Sequence, residues 1–261
     1  LQAAEAVAKL CWYQEKASKA SDEESPAARI LPGEGVDALI HSPDRLSEFQ
    51  CKQILNCYGI PVTSEALATS AEMAVERARE LGYPVALKIQ SGEILHKTEA
   101  GGISLDLESE REVRAAYDEV LANSKRFSPE AEVQGVLVQE MLKDGVEVII
   151  GTTKDPVFGH VIMFGLGGIF VEALRDVSFR VAPVTRRDAE EMIREIKGYR
   201  VLQGMRGNPP ADVDAIVDAI LRVSQLVTDY ADDIEELDIN PLVVFAKGAK
   251  AVDALLTRRQ T

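Results

Sequence analysis

Residues 236–256 read ELDINPLVVFAKGAKAVDALL. Two apolar runs, Leu237 to Phe245 and Lys250 to Leu256, flank Lys247-Gly248, the pattern of a β-hairpin closing on a tight turn. Side chains two apart on a strand share a face, so Asp238 and Asn240 point the same way. A symmetric turn sets Asp253 opposite Leu242, on that face. Three oxygen donors then converge, and Mg²⁺ takes a few hard protein oxygens with water and phosphate completing its shell. The plain alternative is a solvated strand face beside a proline.

Outward from this hairpin the chain mixes helices and strands. Residues 1–16 read as a helix and residues 17–43, rich in Ser, Pro, Gly and charge, as a linker with a short ordered piece at Val36 to Ile40. Ser42-Pro43-Asp44 opens a helix whose apolar face is Leu46, Phe49, Ile54 and Leu55, ended by Gly59 and Pro61. Ser70 to Leu81 is a helix capped by Ser70 and stopped by Gly82. Strands are expected at 85–89, 103–107, 136–141, 147–151 and 160–164. Helices are expected at 110–123, 185–196 and 211–230. Many hairpins without strict βαβ alternation describe an α+β chain of two lobes with a cleft between them.

The bulk numbers narrow the function classes. The 261 residues carry 43 acidic and 29 basic side chains, a formal charge of −14. Nucleic-acid binders and anionic-membrane binders present basic faces, so neither partner is expected. Cys11, Cys51 and Cys57 are too few and too unpatterned for a disulfide framework, and point to the reducing cytoplasm. The run from Val161 to Leu174 is too short and too interrupted to span a bilayer. The chain opens on Leu1 in a helical pattern, as a piece of something longer would.

Several nucleotide motifs are missing. There is no G-x-x-x-x-G-K-[ST] string, and Gly165-Leu166-Gly167-Gly168 lacks the last glycine of a dinucleotide fingerprint. His41, His96 and His160 are scattered, which does not make a zinc site.

Other residues carry two readings each. Lys88, alone in the strand VALKI, either meets an anion such as a nucleotide phosphate or snorkels to water. His96, in the glycine-flanked loop 91–102, is a nucleophile able to carry a phosphoryl group, or a surface histidine. Gly167 and Gly168, with Arg175 and Arg180 downstream, suit a phosphate or form a plain turn. Gln139, Glu140, Met141 and Leu142 end a strand that can offer backbone groups to adenine, with Glu147 for ribose hydroxyls, or they are core and solvated acids. Arg206 meets an anion or caps a helix.

In order along the chain, SEFQCKQILNCYGIPV, YPVALKI, ILHKTEAGG, VQEML, GVEVIIG, FGLGGIFVE, SFRVAP, LQGMRG and ELDINPLVV resemble the ATP-grasp portion of ADP-forming acyl-CoA synthetases, the acetate–CoA ligase family. The succinyl-CoA synthetase beta subunit is a more distant relative. The resemblance covers roughly residues 44–256. It implies a two-lobed ATP-grasp fold, with a first lobe at 44–138 and a second at 139–261, and ATP or ADP with Mg²⁺ between them. It implies Lys88 on phosphate, Gln139 to Leu142 as adenine hinge, Glu147 at the ribose, and Asp238, Asn240 and Asp253 on Mg²⁺. His96 matches a phosphohistidine that shuttles between ADP and a CoA-side active site. Residues 1–16 resemble the end of an upstream CoA-binding portion. That portion is the implied partner, through which a small acid and CoA enter, in an oligomeric full enzyme.

The same resemblance leaves a rival, a regulatory ATP-grasp-like module of a protein lysine acetyltransferase. A wider rival is a carboxylate–amine ligase, which needs no phosphohistidine. The acyl substrate and the choice of ATP or GTP are not legible in these residues.

Overall fold

A computed structural model describes residues 35–43, 45–94, 97–168, 176–204 and 209–259. The helix expected at 1–16, most of the linker, Cys11, His96, Arg175 and Arg206 lie outside the described residues.

The chain order is α1 (Val36–Ile40), α2 (Glu48–Cys57), β1 (Glu65–Ala68), α3 (Ala71–Leu81), β2 (Val85–Gln90), β3 (Ile103–Leu107), α4 (Glu110–Phe127) and β4 (Gly135–Glu140). Then follow β5 (Val146–Asp155), β6 (Gly159–Leu166), β7 (Val177–Val181), α5 (Arg186–Glu195), α6 (Tyr199–Leu202), α7 (Val213–Asp229), β8 (Ile234–Val244), β9 (Ala249–Ala251) and β10 (Ala254–Arg258). The first sheet runs β1-β4-β2-β3 and the second β10-β8-β5-β6-β7, with β9 also on β8; every strand pairing within the sheets is antiparallel.

In the first sheet, Val85, Leu87 and Ile89 of β2 pack against Val75, Ala78, Val113 and Val120 of α3 and α4. The alternate residues Ala86, Lys88 and Gln90 face the other way, yet they are buried too. A strand buried on both faces reads as continuous hydrophobicity. Here the second face carries polar groups because it meets the rest of the molecule. The second core joins β5, β6 and β8 to α5 and α7. It also takes Val36 and Ile40 of α1 and Cys51, Ile54 and Leu55 of α2. Helices α1 and α2 therefore belong to the core of the second sheet, and a cut at residue 138 would part α2 from the core it fills.

Local chemistry sets the element ends. Ser70 accepts from Met73 N at 3.1 Å, and Gly82 closes α3 at φ 86°. α2 begins later than its Ser-Pro-Asp signal, because Ser47 and Gln50 make a reciprocal capping box. Phe49, expected on the inner face of α2, is only half-buried, and Glu48 and Lys52 take inner positions instead. α4 runs one turn past Asn123, with Lys125 and Arg126 in its last turn complementing the helix dipole. β1, β7 and α6 were not foreseen. They are short, and β1 (EALA) has no β-branched residue; its register comes from pairing with β4.

Candidate functional site

The polar face of β2 lies against α2 and the closing hairpin. Lys88 Nζ donates to Glu48 Oε1 at 2.9 Å and lies 3.5 Å from both Val252 O and Asp253 Oδ2. Its side chain is 7% exposed, so it does not snorkel. Lys52, one helical turn after Glu48, donates to Thr63 Oγ1 and to Val252 O, both at 3.0 Å, and pairs with Glu65. Gln139 Nε2 of β4 reaches the same Thr63 hydroxyl at 2.9 Å and the same Val252 carbonyl at 3.1 Å. The Val252 carbonyl is thus the meeting point of three side chains from three elements. Gln139 Oε1 is buried and finds no hydrogen-bond partner among the described residues, an unsatisfied acceptor of the kind found at working sites.

Lys97, in the turn that closes the 91–102 loop, also pairs with Glu48, through Oε2. Burial pushes the Glu48 carboxyl up, but Lys88, Lys97 and Lys52 together outweigh it and hold it at about 2. Burial pushes Lys88 down, and Glu48 and Asp253 more than reverse that. Burial raises Glu65 more than Lys52 lowers it. Burial, then Glu48, raise Asp253 against the lysines. Desolvation is the largest single influence on each of these groups, as expected of charges withdrawn from water.

The hairpin register corrects one expectation. Leu242 pairs with Ala251, not with Asp253. Asp253 falls in the break between β9 and β10, where its carbonyl accepts from Asn240 N at 3.2 Å and Val252 N donates to Pro241 O at 2.9 Å. Asp253 therefore sits opposite Asn240. Asp238 is bonded to the Asn240 side chain and is raised by burial and by Asp253. Among the described residues no three His, Cys, Asp or Glu side chains form a group that could hold a metal ion. The oxygen set is two carboxylates and an amide. Two half-buried carboxylates, one of which raises the pKa of the other, are a donor set that fits a hard divalent cation.

Glu140, Met141 and Leu142 at the strand end border a pocket of about 390 Å³, lined also by Tyr83, Pro84 and Phe245, whereas the Gln139 side chain turns to Thr63 and Val252. Glu140 accepts from Ser64 N and Lys250 Nζ, each at 2.6 Å. Glu147 is exposed on β5. Gly167 N donates to Glu147 O at 2.8 Å, and a Cβ at Gly167 would stand 2.9 Å from Glu147 Cβ. Gly168 adopts φ 62°. The glycine pair is thus required by close approach to Glu147 and by a left-handed turn.

Arg180 departs from its expected role on phosphate. Its guanidinium, 8% exposed, makes a bidentate pair with Glu195 of α5 at 3.0 and 2.5 Å, and Glu191 lies 3.6 Å away. Its fork is occupied by carboxylates that anchor α5 on β7. Glu48, Lys52, Lys97 and Glu65 were missed in the sequence. The available signal was the spacing of Glu48 and Lys52, an i,i+4 pair on the same inward stripe of α2 as Cys51 and Leu55.

Residues 37–257 match the ATP-grasp domain family. The chain is 50% identical over 216 residues to the beta subunit of ADP-forming acetate–CoA ligase II of Pyrococcus furiosus, covering 83% of this chain and 92% of that subunit. It is 44% identical over 218 residues to ADP-forming acetate–CoA ligase I of Archaeoglobus fulgidus, covering 84% of this chain but only 32% of that longer protein. Among solved structures, the dinucleotide-forming acetyl-coenzyme A synthetase 1 of Candidatus Korarchaeum cryptofilum, in complex with coenzyme A, Ca-AMPCP and HgCl+, aligns with TM-score 0.81 at 48% identity, covering 86% of this chain and 97% of that one. A Mg-AMPPCP complex of the same enzyme, its phosphohistidine segment pointing towards the nucleotide binding site, aligns with TM-score 0.73 at 45% identity over the same shares.

Proposed function

This chain belongs to the ATP-grasp domain family of the ADP-forming acid–CoA ligases, and we propose that it carries nucleotide binding and phosphoryl transfer through a phosphohistidine at His96. The carrying observation is the approach of Lys88 to Asp253 and Val252, which brings a phosphate-binding lysine to the oxygens of the closing hairpin. The overall reaction is acid + CoA + ATP to acyl-CoA + ADP + phosphate, and its reverse.

In this reading, Lys88 neutralises phosphate charge from the first sheet. Asp238, Asn240 and Asp253 would hold Mg²⁺, which when bound supplies charge neutralisation to the phosphates. Met141 and Leu142 border the adenine, and Glu147, beside the Gly167-Gly168 turn, faces the ribose. A ring nitrogen of His96 attacks the γ-phosphorus, the bond to the bridging oxygen breaks, and ADP leaves. The phosphoryl group then passes to a CoA-side active site, where acyl phosphate forms and CoA displaces phosphate. Such transfer depends mainly on positioning and charge compensation.

The CoA-binding partner is a separate subunit or another part of the same polypeptide. The beta-subunit name of the Pyrococcus relative and the greater length of the Archaeoglobus relative support both arrangements. Among the described residues no helix is long and apolar enough to cross a membrane. The test is transfer of ³²P from γ-labelled ATP to the chain, wild type and His96→Asn, with the CoA-binding partner present. Acid-labile label in the wild type only supports the relay; equal label in both removes it.

A further inference from the structure

Glu48 is the side chain that this reading does not yet use. It is 3% exposed and joins three lysines from three places: Lys52 on its own helix, Lys88 on β2 and Lys97 in the turn of the 91–102 loop. Its oxygens divide the work. Oε1 takes Lys88, with Lys52 3.5 Å away, and Oε2 takes Lys97.

The loop is fixed firmly at its two ends. On one side Ser91 Oγ donates to Glu132 O at 2.7 Å. On the other, Gly102 O accepts from Ile89 N at 2.7 Å, and Gly101 O from Asn123 Nδ2 at 3.1 Å. A Cβ on Gly102 would stand 2.6 Å from Ile89 Cγ2, so that end is pressed against β2. Between these anchors, the Lys97 ammonium reaches Glu48. Consecutive Cα atoms lie about 3.8 Å apart, so a grip on Lys97 also limits where His96 can go.

We infer that Glu48 is a positioning residue, whose carboxylate ties the phosphate-side lysine to Lys97, the residue that follows His96, and so supports phosphoryl transfer to that histidine. This rests on the relay reading above. A carboxylate that only pinned α2 to β2 would need Lys88 alone, whereas the bond to Lys97 is directed at the loop.

Lys97→Met carries the test, because Lys97 is at the rim (14% exposed) and its loss leaves Glu48 paired to two lysines. Glu48→Gln and the double variant complete a cycle. Three quantities are measured on the full chain: nucleotide Kd by calorimetry, the rate of ³²P labelling from γ-labelled ATP, and amide exchange of residues 97–102. The expected result is labelling slowed roughly tenfold or more in Lys97→Met, with Kd changed less than about twofold and exchange of the turn faster. In the double variant, labelling falls no further than in the worse single, as expected for one shared interaction. Wild-type labelling in Lys97→Met, with His96→Asn silent, overturns the inference alone. Labelling of His96→Asn at the wild-type rate removes the relay, and this inference with it.

Discussion

Lys88 Nζ and Asp253 Oδ2 lie 3.5 Å apart, one on the second strand of the first sheet and the other in the break of the closing hairpin. β2 belongs to the first sheet and the strands flanking Asp253 to the second, so the pair marks where the two halves meet. Its energetics are unequal: Lys88 is raised despite burial, and Asp253 is raised because of it.

Lys88→Met removes the phosphate-side charge and leaves Glu48 with two lysines. The expected outcome is an ATP Kd weakened at least roughly tenfold, equivalent to about 1.4 kcal/mol. Unfolding free energy falls as well, by about 3 kcal/mol, as when one partner of a buried pair is lost. Calorimetric titration and urea unfolding separate the two effects. Unchanged affinity in a folded variant would contradict the phosphate role.

Asp253→Asn relieves a carboxylate held above its usual pKa by burial and by Glu48. Without ligand its Tm is expected to equal or exceed that of the wild type. The rise in Tm that Mg-ADP gives the wild type should be lost in the variant, since binding to the native state is what stabilises. A thermal melt with and without Mg-ADP reads both, and a full ligand-induced shift in Asp253→Asn argues against a metal role.

Acid should weaken the fold through Glu48. Its folded pKa, about 2, lies below its ordinary 4.5. Its contribution is therefore complete above pH 4.5 and is lost as pH falls towards 2. Glu65 and Asp253 work in the opposite sense, because their raised values make protonation on acidification favourable to the fold. The stability gap between wild type and Glu48→Gln should shrink across that pH range in denaturant titrations. A gap that stays constant would mean that Glu48 is not held in its charged form.

Arg180→Met is expected to destabilise by about 1–3 kcal/mol, since a charged bidentate pair is lost while Glu195 is left half-exposed. Nucleotide affinity should not change, because the guanidinium is already occupied by α5. A loss of affinity without a loss of Tm would restore Arg180 to the phosphate.

The 261-residue chain by itself should bind ATP and yet form no acyl-CoA from acid and CoA. Turnover in a thioesterification assay on the isolated chain, without a CoA-binding partner, would show that the division of labour proposed here is wrong.

Local rules made much of the fold legible. Ser70 and Gly82 bound α3 because an N-cap oxygen and a left-handed glycine act within one turn. The 3.6-residue and 2-residue periods located most helices and strands. The two-residue turn at Ala246-Lys247 is equally local, yet a symmetric reading about Lys247-Gly248 missed its register by two residues. Phe245 N donating to Gly248 O decides it. β1 and β7 escaped notice because their order comes from neighbours on β4 and β6, not from their own residues.

What the sequence alone determined was a set of unusual side chains in order: a lysine inside a buried strand, Asp238 and Asn240 two apart, and a histidine in a glycine-flanked loop. Which charges answer them was decided only in three dimensions. Burial removes water from Lys88 and Arg180 alike, and each must find a partner from a distant part of the chain. Packing α2 into the second core gave Lys88 the Glu48 carboxylate, with Asp253 of the hairpin 3.5 Å away, and packing α5 on β7 gave Arg180 three on a helix. Coulomb attraction acts through space, and linear spacing does not record it.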